Sequence, residues 1–277
     1  MDEDAIPDAA ARPTGPERAE AEAPGPVLPG LYLVATPIGA ARDITLRALD
    51  ILAAADVLAA EDTRRARKLL DIHGVRRGER AILPYHDHNG AAQRPRLLAA
   101  LAEGRSVALV SDAGTPLVAD PGYRLVVEAV AAGHPVFAAP GASAVLAALS
   151  VAGLPTDRFL FAGFLAPREA ARRRALGELA AVPATLVFYE SPRRLAEALA
   201  SMTDVLGDRP AAVCRELTKR FEETRRGTLA ALAAAYADAP EPKGEIVIVV
   251  GPPAPVAVTD DTLDAALAAA LARLSVK

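Results

Sequence analysis

The chain reads as an α/β protein of two layered domains, and three observations predict this. Short apolar runs alternate with segments of helical periodicity along most of its 277 residues, the pattern of strands joined by helical crossovers. Two of those runs, 107–110 and 136–139, end in turns of small residues, Ser111-Asp112-Ala113-Gly114-Thr115-Pro116 and Pro140-Gly141-Ala142-Ser143-Ala144. Such turns at strand ends let backbone N–H groups approach a ligand that a Cβ would block, which points to a polar, nucleoside-sized guest in a crevice. Finally, 52% of the residues are hydrophobic, ample for a buried core although alanine supplies much of it.

The elements follow in order. Residues 1–29 are Ala, Pro, Gly and acids without periodicity, and are read as a disordered acidic tail. Leu31–Ala35 is a short buried strand ending in Thr36-Pro37-Ile38-Gly39. A helix from about Asp43 to Ala55 places Ile44, Ala48, Ile51 and Leu52 on one face. Strands at 57–60 and 81–85 flank a basic helix, and a helix over 91–103 leads to the strand at 107–110. Asp120-Pro121 reads as an N-cap with proline at the first helical position. After the strand at 136–139, a helix near Ser143–Val151 is stopped by Gly153. A strand at 159–161, an exposed Arg-rich loop and helix at 167–181, and a strand at 185–189 come next. Ser191-Pro192 opens another helix. Residues 211–215 and the β-leaning 219–227 suggest a change to antiparallel pairing before the last strand, 244–250. The expected organisation is an N-terminal α/β domain over 30–140, a C-terminal α/β domain over 141–251, and a Pro-rich linker with a partial helix over 252–277.

Charge and composition exclude several classes. The single cysteine, Cys214, cannot make an intrachain disulfide or a thiolate metal site alone, which fits a reducing cytoplasm. The acidic, Pro-rich start is not a secretory signal. An uncharged stretch between His134 and Asp157 is long enough to span a membrane, but Pro135, Pro140, Gly141, Gly153 and Pro155 divide it into strand, turn and helix. The tail holds seven acids and two bases, a net −5, so of the formal charge of −4 the rest of the chain carries +1. Its bases are clustered, notably Arg64, Arg65, Arg67 and Lys68, then Arg76-Arg77 with Arg80, Arg172-Arg173-Arg174, Arg193-Arg194, Lys219-Arg220 and Arg225-Arg226. Each cluster is either a solvated helix face or part of a local phosphate-binding surface.

The common nucleotide-binding and hydrolase signatures are absent: no G-x-G-x-x-G, P-loop, G-x-S-x-G or H-E-x-x-H occurs. Instead Thr36-Pro37-Ile38-Gly39, Ala60-Glu61-Asp62-Thr63-Arg64, His86-Asp87-His88-Asn89, Ser111 through Gly122, Pro140 through Ala144, Phe188-Tyr189-Glu190-Ser191 and Arg215-Glu216-Leu217-Thr218-Lys219 occur in this order. Together, over roughly residues 30–250, they closely resemble the ribosomal RNA small subunit methyltransferase I family of the tetrapyrrole methylase superfamily. The resemblance implies methyl transfer from S-adenosylmethionine to a cytidine ribose 2′-hydroxyl in the decoding region of small-subunit (16S) ribosomal RNA. It also implies a homodimer, two α/β domains with the donor in the cleft between them, and RNA presented in an assembled or nearly assembled subunit. Two departures stand out: Ala40 replaces the usual Asn, and relatives usually continue past Lys277 with a short basic helical region.

From the resemblance, donor binding falls to Pro37 and Gly39, to Asp112, Ala113, Gly114 and Thr115, to Gly141, Ser143 and Ala144, and to Tyr189 and Glu190. A sulfonium donor needs no metal, because its leaving thioether is neutral. Adjacent histidines at 86 and 88 lack a third partner at ligand spacing. A ribose hydroxyl is weakly acidic and benefits from a positioned base or electrostatic support. Glu61, Asp62, His86 and Lys219 are the candidates, though Asp62 serves equally as an N-cap. Arg64, Arg65, Arg67 and Lys68 are the first candidate RNA contacts. A precorrin methyltransferase is the rival enzyme reading. A non-catalytic rRNA-binding assembly factor is the rival of another class.

Overall fold

The computed structural model describes residues 27–254 together with Leu267, Ala268 and Leu271. The acidic tail up to residue 26, and nearly all of the linker and helix assigned to 252–277, lie outside the described residues. Val27 and Leu28, which the sequence assigns to the tail, belong to the first domain: Val27 packs on its core and the Leu28 carbonyl accepts from the Tyr32 hydroxyl at 2.9 Å.

The first domain is built on β1 (Gly30–Val34), β2 (Val57–Ala60), β3 (Ile82–Pro84), β4 (Ser106–Val110) and β5 (Val136–Ala139), all parallel in the order β3-β2-β4-β1-β5. Helices α1 (Leu46–Ala54) and α2 (Thr63–Ile72) cover one face, while α3 (Gly90–Ala102) and α4 (Tyr123–Ala131) cover the other. With both faces covered, β2 and β4 are buried along their whole length, which is why they read as continuous apolar runs rather than alternating ones. The chain leaves β1 toward one edge of the sheet and β4 toward the other. Their carboxyl ends therefore part at a topological switch point, where such sheets form a crevice.

The second sheet joins β6 (Phe159–Phe164), β7 (Thr185–Glu190), β8 (Pro210–Arg215), β9 (Glu223–Thr228) and β10 (Ile246–Val250) in the order β6-β7-β10-β8-β9. Only β6 and β7 are parallel; β10 pairs antiparallel with β7 and β8, and β8 with β9. Strand alternation sorts the side chains. Ile246, Ile248 and Val250 face the layer of α6 (Glu169–Leu179), α7 (Leu195–Leu206) and α8 (Leu229–Ala237). Val247 and Val249, with Val187, Ala212 and the fully buried Cys214, face α5 (Ala144–Ala152) and Ile38 of the first domain. Among the described residues no helix is long and apolar enough to cross a membrane.

Several boundaries differ from the sequence expectation. Helix α1 starts at Leu46 rather than near Asp43, because Thr45 caps it by accepting from the Ala48 N–H at 3.1 Å. Asp120-Pro121 does not open α4. The helix begins at Tyr123 after Gly122, whose φ of 129° turns the chain and whose missing Cβ leaves room for Leu109. The β-leaning segment is strand only from Glu223, since residues 216–222 form a turn, and α8 goes unread in the sequence despite its Thr228 cap.

The basic clusters are also less exposed than expected. Arg77 is buried and donates to the Leu52 and Ala55 carbonyls, closing the end of α1, and Arg80 adds a bond to Ala54. Burial lowers the Arg77 pKa to about 10. Arg172, expected on an exposed helix, is 3% exposed. It donates to Ser201 Oγ at 3.0 Å and the Pro167 carbonyl at 3.2 Å, and approaches Glu197 at 3.6 Å. Replacing it strands those partners, so Arg172→Ala is expected to destabilise the protein by about 2–3 kcal/mol. Arg174→Ala, on an exposed neighbour, should stay within about 0.5 kcal/mol; chemical denaturation of both variants measures the difference.

Candidate active site

The loops that leave β1, β4 and β5 meet at the switch point and are tied together. Thr36 and Gly114 exchange two backbone bonds, 2.9 and 3.0 Å, in an isolated antiparallel bridge. Thr115 Oγ1 donates to the Ala142 carbonyl at 3.1 Å. Gly114 has φ of 82°, which disfavours any side chain. Gly141 lies against Ala35, where a Cβ would come within 2.9 Å. The loop after β2 joins from the side: the Asp62 N–H donates to Asp112 Oδ1 at 2.9 Å, and the Asp112 N–H to Glu61 Oε2 at 3.3 Å.

These loops wall one side of a cavity of about 410 Å³, and the second domain supplies the other, within the roughly 300–1,000 Å³ usual for small-molecule sites. Of the eleven residues expected to bind the donor, Asp112, Ala113, Gly114, Thr115, Ser143, Ala144, Tyr189 and Glu190 line it together. Pro37 and Gly39 line a neighbouring cavity instead, and Gly141 lines neither. Tyr189 stands edge-on to Phe161 and Phe164, at 4.8 and 5.5 Å between ring centroids. Burial pushes its hydroxyl up to about 12, helped by the negative charges of Asp120 and Glu245, so it stays a neutral donor. The Glu190 carboxylate is held by Arg194 at 2.8 Å and by the Ser191 N–H at 2.7 Å.

The candidate catalytic groups divide. Glu61 lines the first cavity. Asp62 caps α2 and pairs with Arg64 at 2.8 Å, and the Arg64 contacts hold its carboxyl far below the usual range. Lys219 lines the neighbouring cavity and bridges Glu216 at 2.7 Å and Glu245 at 2.9 Å. Partial burial would lower its pKa, but the two carboxylates outweigh that and keep it charged. His86 lies in a third cavity, in the turn that Asn89 closes by accepting from the His86 N–H. Among the described residues no set of three or more His, Cys, Asp and Glu side chains could hold a metal ion.

Two acids of the cleft escape sequence reasoning. Glu245 precedes β10 without any distinguishing pattern. Asp120 belongs to the 111–122 run but reads there as a helix cap. In the structure it lines the first cavity, and partial burial raises its pKa to about 6, with Glu61, Asp112 and Asp87 adding to the rise against a Ser111 hydrogen bond. The strain of this loop is visible beside it, where Leu117 and Ala119 have φ of 72° and 62°.

The whole arrangement has counterparts. Residues 30–233 match the family described as Tetrapyrrole (Corrin/Porphyrin) Methylases. A ribosomal RNA small subunit methyltransferase I from Mesorhizobium japonicum is 61% identical over 228 residues, 82% of this chain and 76% of the relative. The chain belongs to the tetrapyrrole methylase family, in its ribosomal RNA small subunit methyltransferase I branch. Among solved structures, a diphthine synthase superposes with a TM-score of 0.61 at 18% identity, over 80% of this chain and 89% of that one. A cobalt precorrin-4 methyltransferase does so with 0.57 at 20%, over 80% and 94%. At such identities the likeness is one of fold.

Asp120 gives a stability prediction. Its folded pKa of about 6 lies above the ordinary 3.8, so the folded state binds the proton more tightly. The associated stability is fully present below pH 4 and is lost as pH rises through 6. Asp120→Asn should remove this loss, on the order of 2 kcal/mol, and flatten the stability profile between pH 4 and 6.5 in denaturation curves.

Proposed function

We propose that this chain methylates the 2′-hydroxyl of a cytidine ribose in the decoding region of small-subunit ribosomal RNA, with S-adenosylmethionine as donor. The observation that carries this reading is the 61% identity to the Mesorhizobium japonicum relative across both domains. The cavity fits the donor: small-residue backbone at Ala113, Gly114 and Ala144 leaves room for it, and Glu61, Asp112 and Asp120 offer negative charge to a cation. When bound, S-adenosylmethionine supplies an electrophilic methyl group on a cationic sulfonium. Tyr189, Leu217 and Val247 wall the opposite side and would keep water from the transferred group.

Forming the ribose O–CH3 bond releases the hydroxyl proton, which this chain must accept or pass to solvent. Glu61, which lines the cavity and accepts from the Asp112 N–H at 3.3 Å, is the candidate to take it. Lys219, held charged by two carboxylates, suits electrostatic support better than proton abstraction, and Asp62 is committed to its helix. The same reading makes the enzyme a cytoplasmic homodimer acting on nearly assembled subunits. The exposed Tyr123, Val127 and Val130 on one stripe of α4 support self-association.

Purified protein incubated with labelled donor and small ribosomal subunits should yield 2′-O-methylcytidine at one position, identified by nuclease digestion and mass spectrometry. Product methylated on a base, or none, would overturn the reading. Gly114→Val must place a β-branched residue at φ of 82° beside Ile38, so donor affinity by calorimetry should fall at least about tenfold. Because protonated Asp120 offers no charge, wild-type donor affinity should also weaken as pH falls through 6.

A further inference from the structure

A second cavity of about 410 Å³ adjoins the donor cavity, and the two share Ile38, Arg65, Asp112, Ala113 and Glu245 as a common wall. One flank is a single helix face: Arg65, Lys68, Leu69 and Ile72 stand at i, i+3, i+4 and i+7 of α2, and all four line the space. The opposite flank is the 36–41 loop with Lys219 of the second domain. The floor is apolar core, including Leu58, Leu70 and Val110. We propose that this cavity seats the acceptor nucleotide of a single-stranded RNA segment, its phosphate on Arg65 and Lys68 and its base against Leu69 and Ile72. The inference rests on the methyltransferase reading and names the acceptor subsite of that same site.

The side chains of α2 separate by role in a way that supports it. Arg64 is folded back onto Asp62 at 2.8 Å, and Arg67 donates to Thr63 Oγ1 at 3.4 Å. Arg65 touches Asp112 only at 3.5 Å and remains 63% exposed, and Lys68 has no ion-pair partner among the described residues. The cations left for a phosphate are thus the two that line the cavity. Ile72, half exposed at the far end of the same face, offers an apolar surface against which an unstacked base can lie. The arrangement also gives Pro37 and Gly39 a place: they line this cavity rather than the donor's. Gly39 must lack a side chain because a Cβ would come within 2.5 Å of Lys219 Cγ, closing the loop against the second domain. A third cavity, holding His86, Tyr123 and Arg124, meets the donor cavity only through Asp120, and its Arg94 is tied to Glu128 at 2.6 Å. It is the poorer acceptor site.

The experiment uses the full chain with small ribosomal subunits. Lys68→Glu and Ile72→Glu should each raise the KM for subunits at least about tenfold at physiological salt. Lys68→Glu should also reduce the salt slope by about one. Affinity for S-adenosylhomocysteine by calorimetry should stay within about twofold for both. Arg124→Glu, in the third cavity, should leave the KM unchanged. A photoreactive cytidine at the methylated position should cross-link to an α2 peptide of the wild-type protein, which tests the placement without any substitution. Wild-type methylation with normal KM in both α2 variants, or a cross-link confined to residues around Tyr123, would overturn the acceptor site and leave the activity standing. Absence of wild-type methylation would overturn both.

Discussion

The reciprocal backbone bonds between Thr36 and Gly114 hold together two loops that the sheet sends in opposite directions. A doubly wound sheet has to split its connections somewhere, and the gap left between them is a crevice with unpaired backbone on both sides. Here the split falls between β1 and β4. Both cavities hang from it: Asp112, Ala113 and Thr115 flank Gly114 at the first, and Pro37 and Gly39 follow Thr36 around its neighbour. Glycine at 114 is what allows the bridge to form, since φ there is positive and the loop must double back toward Ala142.

The second domain closes the crevice through a short latch. The Ala40 N–H donates to Thr218 Oγ1 at 3.1 Å, and Gly39 lets the Lys219 stem lie directly on the loop. Glu216 and Thr218 adopt φ of 51° and 62° to make this contact, strained for residues with side chains. Compensation comes from Lys219, which ties Glu216 to Glu245, and from Gly244, where any Cβ would collide with Glu216. A side chain at position 40 plays no part in the latch, so the alanine found there is compatible with it.

Electrostatics then divides the cleft in two. Glu61 and Asp120 line the first cavity alone and Lys68 and Lys219 the neighbouring one alone, with Arg65, Asp112 and Glu245 in the wall that the two share. A near-neutral core can hold both because many of its arginines are committed internally. Arg77 and Arg80 close α1, Arg172 is buried under α7, Arg194 holds Glu190, and Arg226 donates to the Val151 carbonyl. Net charge says little about such a surface, since only the few cations without internal partners are available to a phosphate.

The sequence by itself determined the alternation of strands and helices, the small-residue turns after 110 and 139, and the change to antiparallel pairing from residue 211 onward. Each of these is a local property of backbone sterics, side-chain periodicity or turn chemistry. The small-residue turns that hold 112–115 and 143–144 were legible for the same reason, whereas the donor roles of these residues and of Tyr189 and Glu190, at the end of β7, came from the family resemblance. Only the tertiary structure decided which of them share a cavity, because the walls come from segments more than a hundred residues apart in the chain. It moved Asp120 from a helix cap to a half-buried acid, fixed Asp62 as the cap of α2, and placed Pro37 and Gly39 beside a different space from the one expected. Burial and the charges that surround a group set its protonation and its reach, and those neighbours exist only once the two sheets face each other.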